Sequence, residues 1–246
     1  MNALDGWKSF GENAAFAEAE AFRARPNRLT TERLESVPLT LDEFALYLAD
    51  VDAFAEALSL AEPPSEPDAE TRAAFNWLFE NALALDAASL CWSTLWLPIL
   101  RSENRVVGGL CFKGPPRPLF DFLETAPNFK IDVANVAPDA VNENAQGDAS
   151  ADKIVDASAL TAVVEIGYGV DKAFRGRGLA TEAVGALVDW GREREDVGAF
   201  LAETLTANLP SRRVLEKCGF QPCGESDDAV FWRVDVSRRA TEKDGV

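Results

Sequence analysis

The sequence predicts an α+β fold, a mixed and mostly antiparallel sheet flanked by helices. Three observations predict it. Residues 93–100 and 106–112, and again residues 220–224 and 230–236, are apolar or β-branched runs on either side of short polar turns, the pattern of antiparallel neighbours. Residues 163–190 read as a strand, a basic turn punctuated by glycines and an amphipathic helix. Two stretches upstream of these, from Leu41 and from Phe75, carry apolar residues at helical spacing.

In chain order, residues 1–27 form an appendage, a loosely amphipathic segment rich in alanine and glutamate that Pro26 ends. Residues 28–246 read as a single domain. Residues 28–38 alternate Leu29, Thr31, Arg33 and Glu35 against their neighbours and read as the first strand. Thr40 and Glu43 make a capping box that opens a helix with Leu41, Phe44, Ala45 and Leu48 on one face. Residues 62–67, EPPSEP, form a rigid polar linker. The next helix places Phe75, Leu78, Phe79, Ala82 and Leu85 on one side. Phe75, Trp77 and Phe79 read as core, with contact to a substrate as the alternative. Residues 102–104 turn between the first strand pair, and the Gly108-Gly109 step in its second member marks a bulge or a close backbone approach.

Residues 114–160 stand apart as an acidic insertion. From 131 to 160 there is no aromatic residue, and six acids face the single base Lys153. Such a segment buries too little apolar surface to offset its ordering entropy, so it reads as flexible. The sharper alternative is a cover over the acceptor site that draws in a cation.

The stretch that organises the chain follows. Residues 163–170, VVEIGYGV, are apolar and β-branched around the lone Glu165. Past Gly178 the period becomes helical, with Ala180, Val184, Leu187 and Val188 in register and Glu182 and Asp189 turned elsewhere. A helix begun by glycines leaves its first amides pointing outward at the positive end of its dipole. Arg175 and Arg177 add full charges, and Gly176 and Gly178 let an anion approach the main chain. This arrangement suits a phosphate. The Walker pattern is missing, and G-x-G-x-x-G fails because Thr181 stands where its third glycine belongs.

What does match is R-x-x-G-x-A at Arg175, Gly178 and Ala180, preceded by EIGYGV and followed by Asn208-Leu-Pro-Ser211 and RVLEKCGF over residues 213–220. Together these resemble the acyl-CoA pyrophosphate loop, fourth strand and fourth helix of the GCN5-related N-acetyltransferase (GNAT) family, in the branch that acetylates ribosomal-protein N-termini and small amines. The specific motifs cover residues 163–220. The resemblance implies a GNAT-like fold with splayed central strands and acetyl-CoA as cosubstrate. It implies that the pantetheine arm pairs with main chain at Tyr168, Gly169 and Val170, near which a backbone amide polarises the thioester. The pyrophosphate would sit on Arg175, Gly176, Arg177, Gly178, Leu179, Ala180 and Thr181. Asn208 and Ser211 match positions that touch the pantetheine and the sulfur.

Acetyl transfer to an amine needs a polarised thioester, a neutral amine and a protonated leaving thiolate. Glu165 is the first candidate base, since burial of a lone carboxylate raises its pKa. An outward-facing Glu165 paired with an arginine is the alternative, and Glu203 is the second choice. Many family members protonate the thiolate with a tyrosine of the fourth helix. Leu215 occupies that place here, which leaves Ser211 or a water as the acid. A catalytically weak or silent acyl-CoA-binding or regulatory domain is therefore the second functional class.

Composition narrows the rest. The 246 residues are 47% hydrophobic, enough for one well-cored domain. With no histidine, Ser-His-Asp hydrolysis and histidine metal sites are excluded. The four cysteines form no C-x-x-C pair, so no metal is expected, and Cys111 and Cys218 read as buried thiols. A formal net charge of −17 disfavours nucleic acid and anionic membranes and favours cationic acceptors or plain solubility. The most apolar run, residues 88–100, is too short to span a bilayer and contains Pro98. With no signal peptide, the chain reads as cytoplasmic. Members of the resembled family often pair, so a homodimer is open.

Overall fold

The computed structural model describes residues 22, 25, 27–126, 129 and 162–236. The predicted helix over residues 1–27 and the acidic segment 131–160 lie outside them, except for Phe22, Arg25 and Asn27. The chain divides into two compact units, Met1–Phe112 with Tyr168–Ala186, and Lys113–Gly167 with Leu187–Val246. Strand β7, Ala162–Val170, and helix α5, Leu179–Arg192, each run through both units.

The first unit opens on a hairpin. Strands β1, Leu29–Thr30, and β2, Leu34–Pro38, pair antiparallel with Leu29 opposite Ser36. The single strand expected over residues 28–38 is therefore two. The chain reverses at residues 31–33, where the Thr31 amide donates to the Leu34 carbonyl at 2.9 Å and the Leu34 amide donates to the Thr31 hydroxyl oxygen at 3.0 Å. Alternation could not reveal this, because a tight polar turn keeps the same residue types.

β3, Leu95–Leu100, pairs antiparallel with β2 on one side and with β4, Arg105–Val106, and β5, Gly108–Phe112, on the other. The Gly108 step is the expected close approach. A Cβ there would lie 2.1 Å from the Gly169 carbonyl oxygen, and Gly108 holds φ at +153°. Nearby, the Asp171 amide donates to the Val107 carbonyl at 2.9 Å.

Three helices follow the hairpin, where two were expected. α1, Leu41–Ala49, starts at the Thr40–Glu43 capping box in both directions. α2, Val51–Ala57, begins one residue later on its own Asp50 cap. Its seven residues are too few to show a period. α3, Ala69–Ala82, follows the polar linker with Asp68 as its cap.

The core of this unit gathers Phe44, Tyr47, Phe54, Leu78, Leu97 and Ile99 among others. Phe54 meets Tyr47 edge to face at 5.3 Å, and Phe79 meets Phe44 at 5.4 Å. Phe75 and Phe79 pack against this core as read from the sequence, whereas Trp77 is half exposed. Its position on α3 turns it away from Leu78 and Ala82. Phe22 also belongs to this core at 1% exposure.

In the second unit, β6, Arg117–Pro118, pairs antiparallel with β7, and α4, Leu119–Thr125, follows it. The start of the expected insertion at 114–160 is thus regular structure, anchored by Leu119, Phe122 and Phe129 in a core with Val163, Ala199 and Phe231. Aromatic content separates the two parts: Phe120, Phe122 and Phe129 precede the stretch that has none. β7 pairs parallel with β8, Ala199–Leu205, and β10, Ala229–Asp235, pairs antiparallel with both β8 and β9, Gln221–Glu225. The closing hairpin is as expected.

Between β8 and β9 lies α6, Leu209–Lys217. Gly219 at φ +87° stops it, and the Phe220 amide reaches back to the Leu215 carbonyl at 3.0 Å. Parallel and antiparallel pairs coexist with flanking helices, which is the α+β class. Among the described residues no helix is long and apolar enough to cross a membrane. The fully buried thiols are Cys91 and Cys223, whereas Cys111 and Cys218 are half-buried, a correction to the reading from local apolarity.

Candidate functional site

The glycine-rich bend belongs to the first unit and is built from β7 onward. β7 ends at Val170, and a short 3-10 turn, Lys172–Phe174, drives Phe174 into the protein at 4% exposure. The Arg105 guanidinium lies 4.8 Å over the Phe174 ring and that of Arg177 5.5 Å from it, which braces the turn with two cations. Asp171, at the head of the turn, is half-buried. Burial raises its carboxyl above the ordinary range, against a hydrogen bond from Ser65 and the charge of Arg175.

Gly176 and Gly178 then take φ values of +76° and +77°, the left-handed region that an L side chain occupies only at a cost. A Cβ on Gly176 would meet nothing within 4 Å, so packing does not explain that glycine. The second glycine opens α5: the Glu182 amide donates to the Gly178 carbonyl at 3.1 Å, and Gly178 has no side chain to cap the turn. Among the described residues, no acceptor meets the amides of Gly176, Arg177, Gly178, Leu179 and Ala180. Residues 175–178 are exposed. The result is a row of unpaired donors at a dipole's positive end, next to Arg175 and Arg177. Arg175 is steadied by its own Nε donating to the Val170 carbonyl at 3.0 Å, and Arg177 by Glu103 at 3.2 Å.

A further group stands beside the bend that no local pattern announces. Thr31 and Arg33, from the β1–β2 turn, converge on Glu182 in the first turn of α5. The Thr31 hydroxyl donates to Glu182 at 2.5 Å, the Arg33 amide at 2.8 Å and its Nε at 2.6 Å. Arg33 Nη1 also donates to the Arg177 carbonyl at 2.8 Å. Burial works to raise the Glu182 pKa but is outweighed by the bonds from Thr31 and Arg33, which bring it below the ordinary range. The only trace in the sequence is that TTER breaks an apolar alternation.

Glu165 belongs to the second unit, on the β7 segment that precedes Tyr168. Its side chain is 10% exposed and forms an ion pair with Lys113, whose backbone amide also donates to the Glu165 carbonyl at 2.9 Å. The Glu165 pKa is raised: desolvation dominates, the Lys113 charge and hydrogen bond oppose it, and Glu203 adds to it. The carboxylate is buried, and its partner is a lysine in place of the expected arginine. Glu203 itself is exposed on β8.

Also in the second unit, the Asn208 side-chain carbonyl accepts from the Ser211 amide at 3.2 Å and caps α6, with Pro210 in the first turn. The Asn-x-x-Ser spacing therefore has a structural use of its own. Leu215 is fully buried.

A family model for the acetyltransferase (GNAT) domain matches residues 125–221. Two curated Bacillus subtilis (strain 168) proteins are similar to the chain. The uncharacterized N-acetyltransferase YjdG is 38% identical over 70 residues, 28% of this chain and 42% of that protein. The probable N-acetyltransferase YjcK is 36% identical over 83 residues, 31% of this chain and 46% of that protein. The matched stretches thus span less than half of either relative.

Among solved structures, a ribosomal L7/L12 alpha-N-protein acetyltransferase in complex with coenzyme A aligns over 85% of this chain and 98% of its own, at 14% identity and a TM-score of 0.48. A ribosomal-protein-S5-alanine acetyltransferase from Vibrio fischeri aligns over 85% and 96%, at 13% identity and a TM-score of 0.46. The family model runs from α4 into β9 and so takes in the glycine bend; over these residues the chain is similar to GNAT acetyltransferases.

Proposed function

We propose that the chain is an N-acetyltransferase that moves an acetyl group from acetyl-CoA to a primary amine by direct attack. The observation that carries this is the row of amides from Gly176 to Ala180 that meet no acceptor among the described residues, opened by two glycines at positive φ and flanked by Arg175 and Arg177. These groups fit a pyrophosphate, which needs several donors and more than one positive charge. Thr181 continues the turn. The end of β7, from Tyr168 through Gly169 to Val170, offers main chain for the pantetheine amides, and no Cβ is present at Gly169 to obstruct it. Asn208 and Ser211 serve the sulfur end.

In the transfer, the amine nitrogen bonds to the thioester carbon and the carbon–sulfur bond breaks. Glu165 takes the amine's proton, directly or through water, and Ser211 or a water returns one to the thiolate. The raised pKa of Glu165 makes its carboxylate a stronger base than an exposed one. The acceptor is a small amine or a protein N-terminus. The acidic chain would gather such cations without selecting among them.

One observation favours a second reading, a catalytically weak or silent acyl-CoA-binding domain: Glu165 is already neutralised by Lys113. Thiol release from acetyl-CoA with a pool of primary amines separates the two. Binding is tested by Gly178→Asp and Arg175→Glu, each of which sets a negative charge at the phosphate position. Calorimetry should show coenzyme A affinity down by about 100-fold or more in both, through lost charge pairing and new repulsion. Wild-type affinity in both variants refutes the site.

A further inference from the structure

We infer that the β1–β2 hairpin is a strut for the phosphate bend, with Thr31, Arg33 and Glu182 as its positioning residues; this rests on the reading of that bend as a coenzyme A site. Glu182 stands in the first turn of α5, whose free amides are natural partners for a carboxylate. Left mobile there, it would compete with a phosphate for the same donors and repel it.

The hairpin removes it from that competition. The Thr31 hydroxyl, the Arg33 amide and Arg33 Nε donate to Glu182 at 2.5, 2.8 and 2.6 Å, so donors of the hairpin occupy both carboxylate oxygens. The other edge of the same guanidinium donates to the Arg177 carbonyl at 2.8 Å, which fixes the peptide that joins Arg177 to Gly178. One planar fork therefore ties the helix's first acid and the bend's main chain to a single point on the hairpin. Arg33 Nη2 would lie 3.6 Å from a Cβ on Gly178, so the tie reaches the second glycine. With Nε and Nη2 on Glu182 and Nη1 on Arg177, the guanidinium holds the bend in place and is not itself the phosphate's ligand.

The test is calorimetric titration of coenzyme A into the full chain carrying Arg33→Ala, Glu182→Ala or Arg33→Lys. Lysine keeps the charge but cannot bridge Glu182 and the Arg177 carbonyl together. The expected result is a dissociation constant raised about tenfold in Arg33→Ala and Arg33→Lys, which free the carboxylate, and a smaller rise in Glu182→Ala, which removes the competing charge along with one arm of the tie, with binding stoichiometry unchanged. A merely structural loss would lower the stoichiometry, as part of the protein unfolds, and leave the dissociation constant of the folded remainder alone. Wild-type affinity in Arg33→Ala, full affinity in Arg33→Lys, or a loss in Glu182→Ala as large as in Arg33→Ala overturns the strut while the bend's own assignment stands. Failure of the wild-type chain to bind coenzyme A overturns both.

Discussion

Gly108→Ala offers the sharpest physical test of how the end of β7 is held. The added Cβ would lie 2.1 Å from the Gly169 carbonyl oxygen and 2.9 Å from the Val170 Cα, against the about 3.5 Å at which unbonded heavy atoms meet. Both obstacles are main chain, so no rotamer change relieves the overlap. The residue also holds φ at +153°, where an alanine is strained. Overpacking and backbone strain cost about 1–3 kcal/mol each, so about 3 kcal/mol is a fair sum once the strands part slightly. At about 2–4 °C per kcal/mol for a chain of this size, the midpoint should fall by about 6–12 °C.

Because the strands part at Gly169 and Val170, coenzyme A affinity should fall as well. Gly169→Ala is the control: its Cβ meets nothing within 4 Å, and its φ is not positive. It should melt within about 2 °C of wild type, as open sites do. Scanning calorimetry of both variants decides the matter. A Gly108→Ala midpoint within 2 °C of wild type would refute the reasoning.

Glu165→Gln should lower kcat by about 100-fold or more while coenzyme A affinity stays within about twofold, as loss of a general base does. In the wild type, kcat should climb as pH rises through the raised Glu165 pKa, because the base acts ionised, and the variant should lose that limb; an unchanged pH–rate profile removes Glu165 from the mechanism. Glu182→Gln should melt about 2–4 °C below wild type at pH 7, for about 1 kcal/mol of lost charged hydrogen bonding. The Glu182 pKa is depressed in the fold, so its contribution is present above its ordinary 4.5 and fades as pH falls through the lower folded value; a gap that widens in acid contradicts this. Leu215→Tyr, which supplies on α6 the tyrosine that many members of the resembled family carry there, should cost about 1–3 kcal/mol by overpacking a fully buried site and add nothing to kcat. A rise in kcat would show that position 215 reaches the leaving thiolate.

Much of the fold was legible because its signals are local. The capping box at Thr40, the stop at Gly219 and the strand, glycine bend and helix from β7 into α5 each depend on residues within a few positions of one another. The same holds for the phosphate cradle, since bare amides follow from a helix begun by glycines wherever it sits. Even the tight step at Gly108 announced itself, although its partner Gly169 did not.

What the sequence left open depends on residues far apart in the chain. Whether residues 28–38 are one strand or two turned on a polar reversal that alternation cannot register. The partner of Glu165 is 52 positions away, and the Thr31–Glu182 bond spans 151. No periodicity carries such pairings, because they are decided by which surfaces the packed core brings face to face. The chain by itself determined a glycine-opened bend whose amides suit a phosphate; the tertiary structure alone decided that Thr31 and Arg33, from a hairpin at the other end of the sequence, hold the acid beside it.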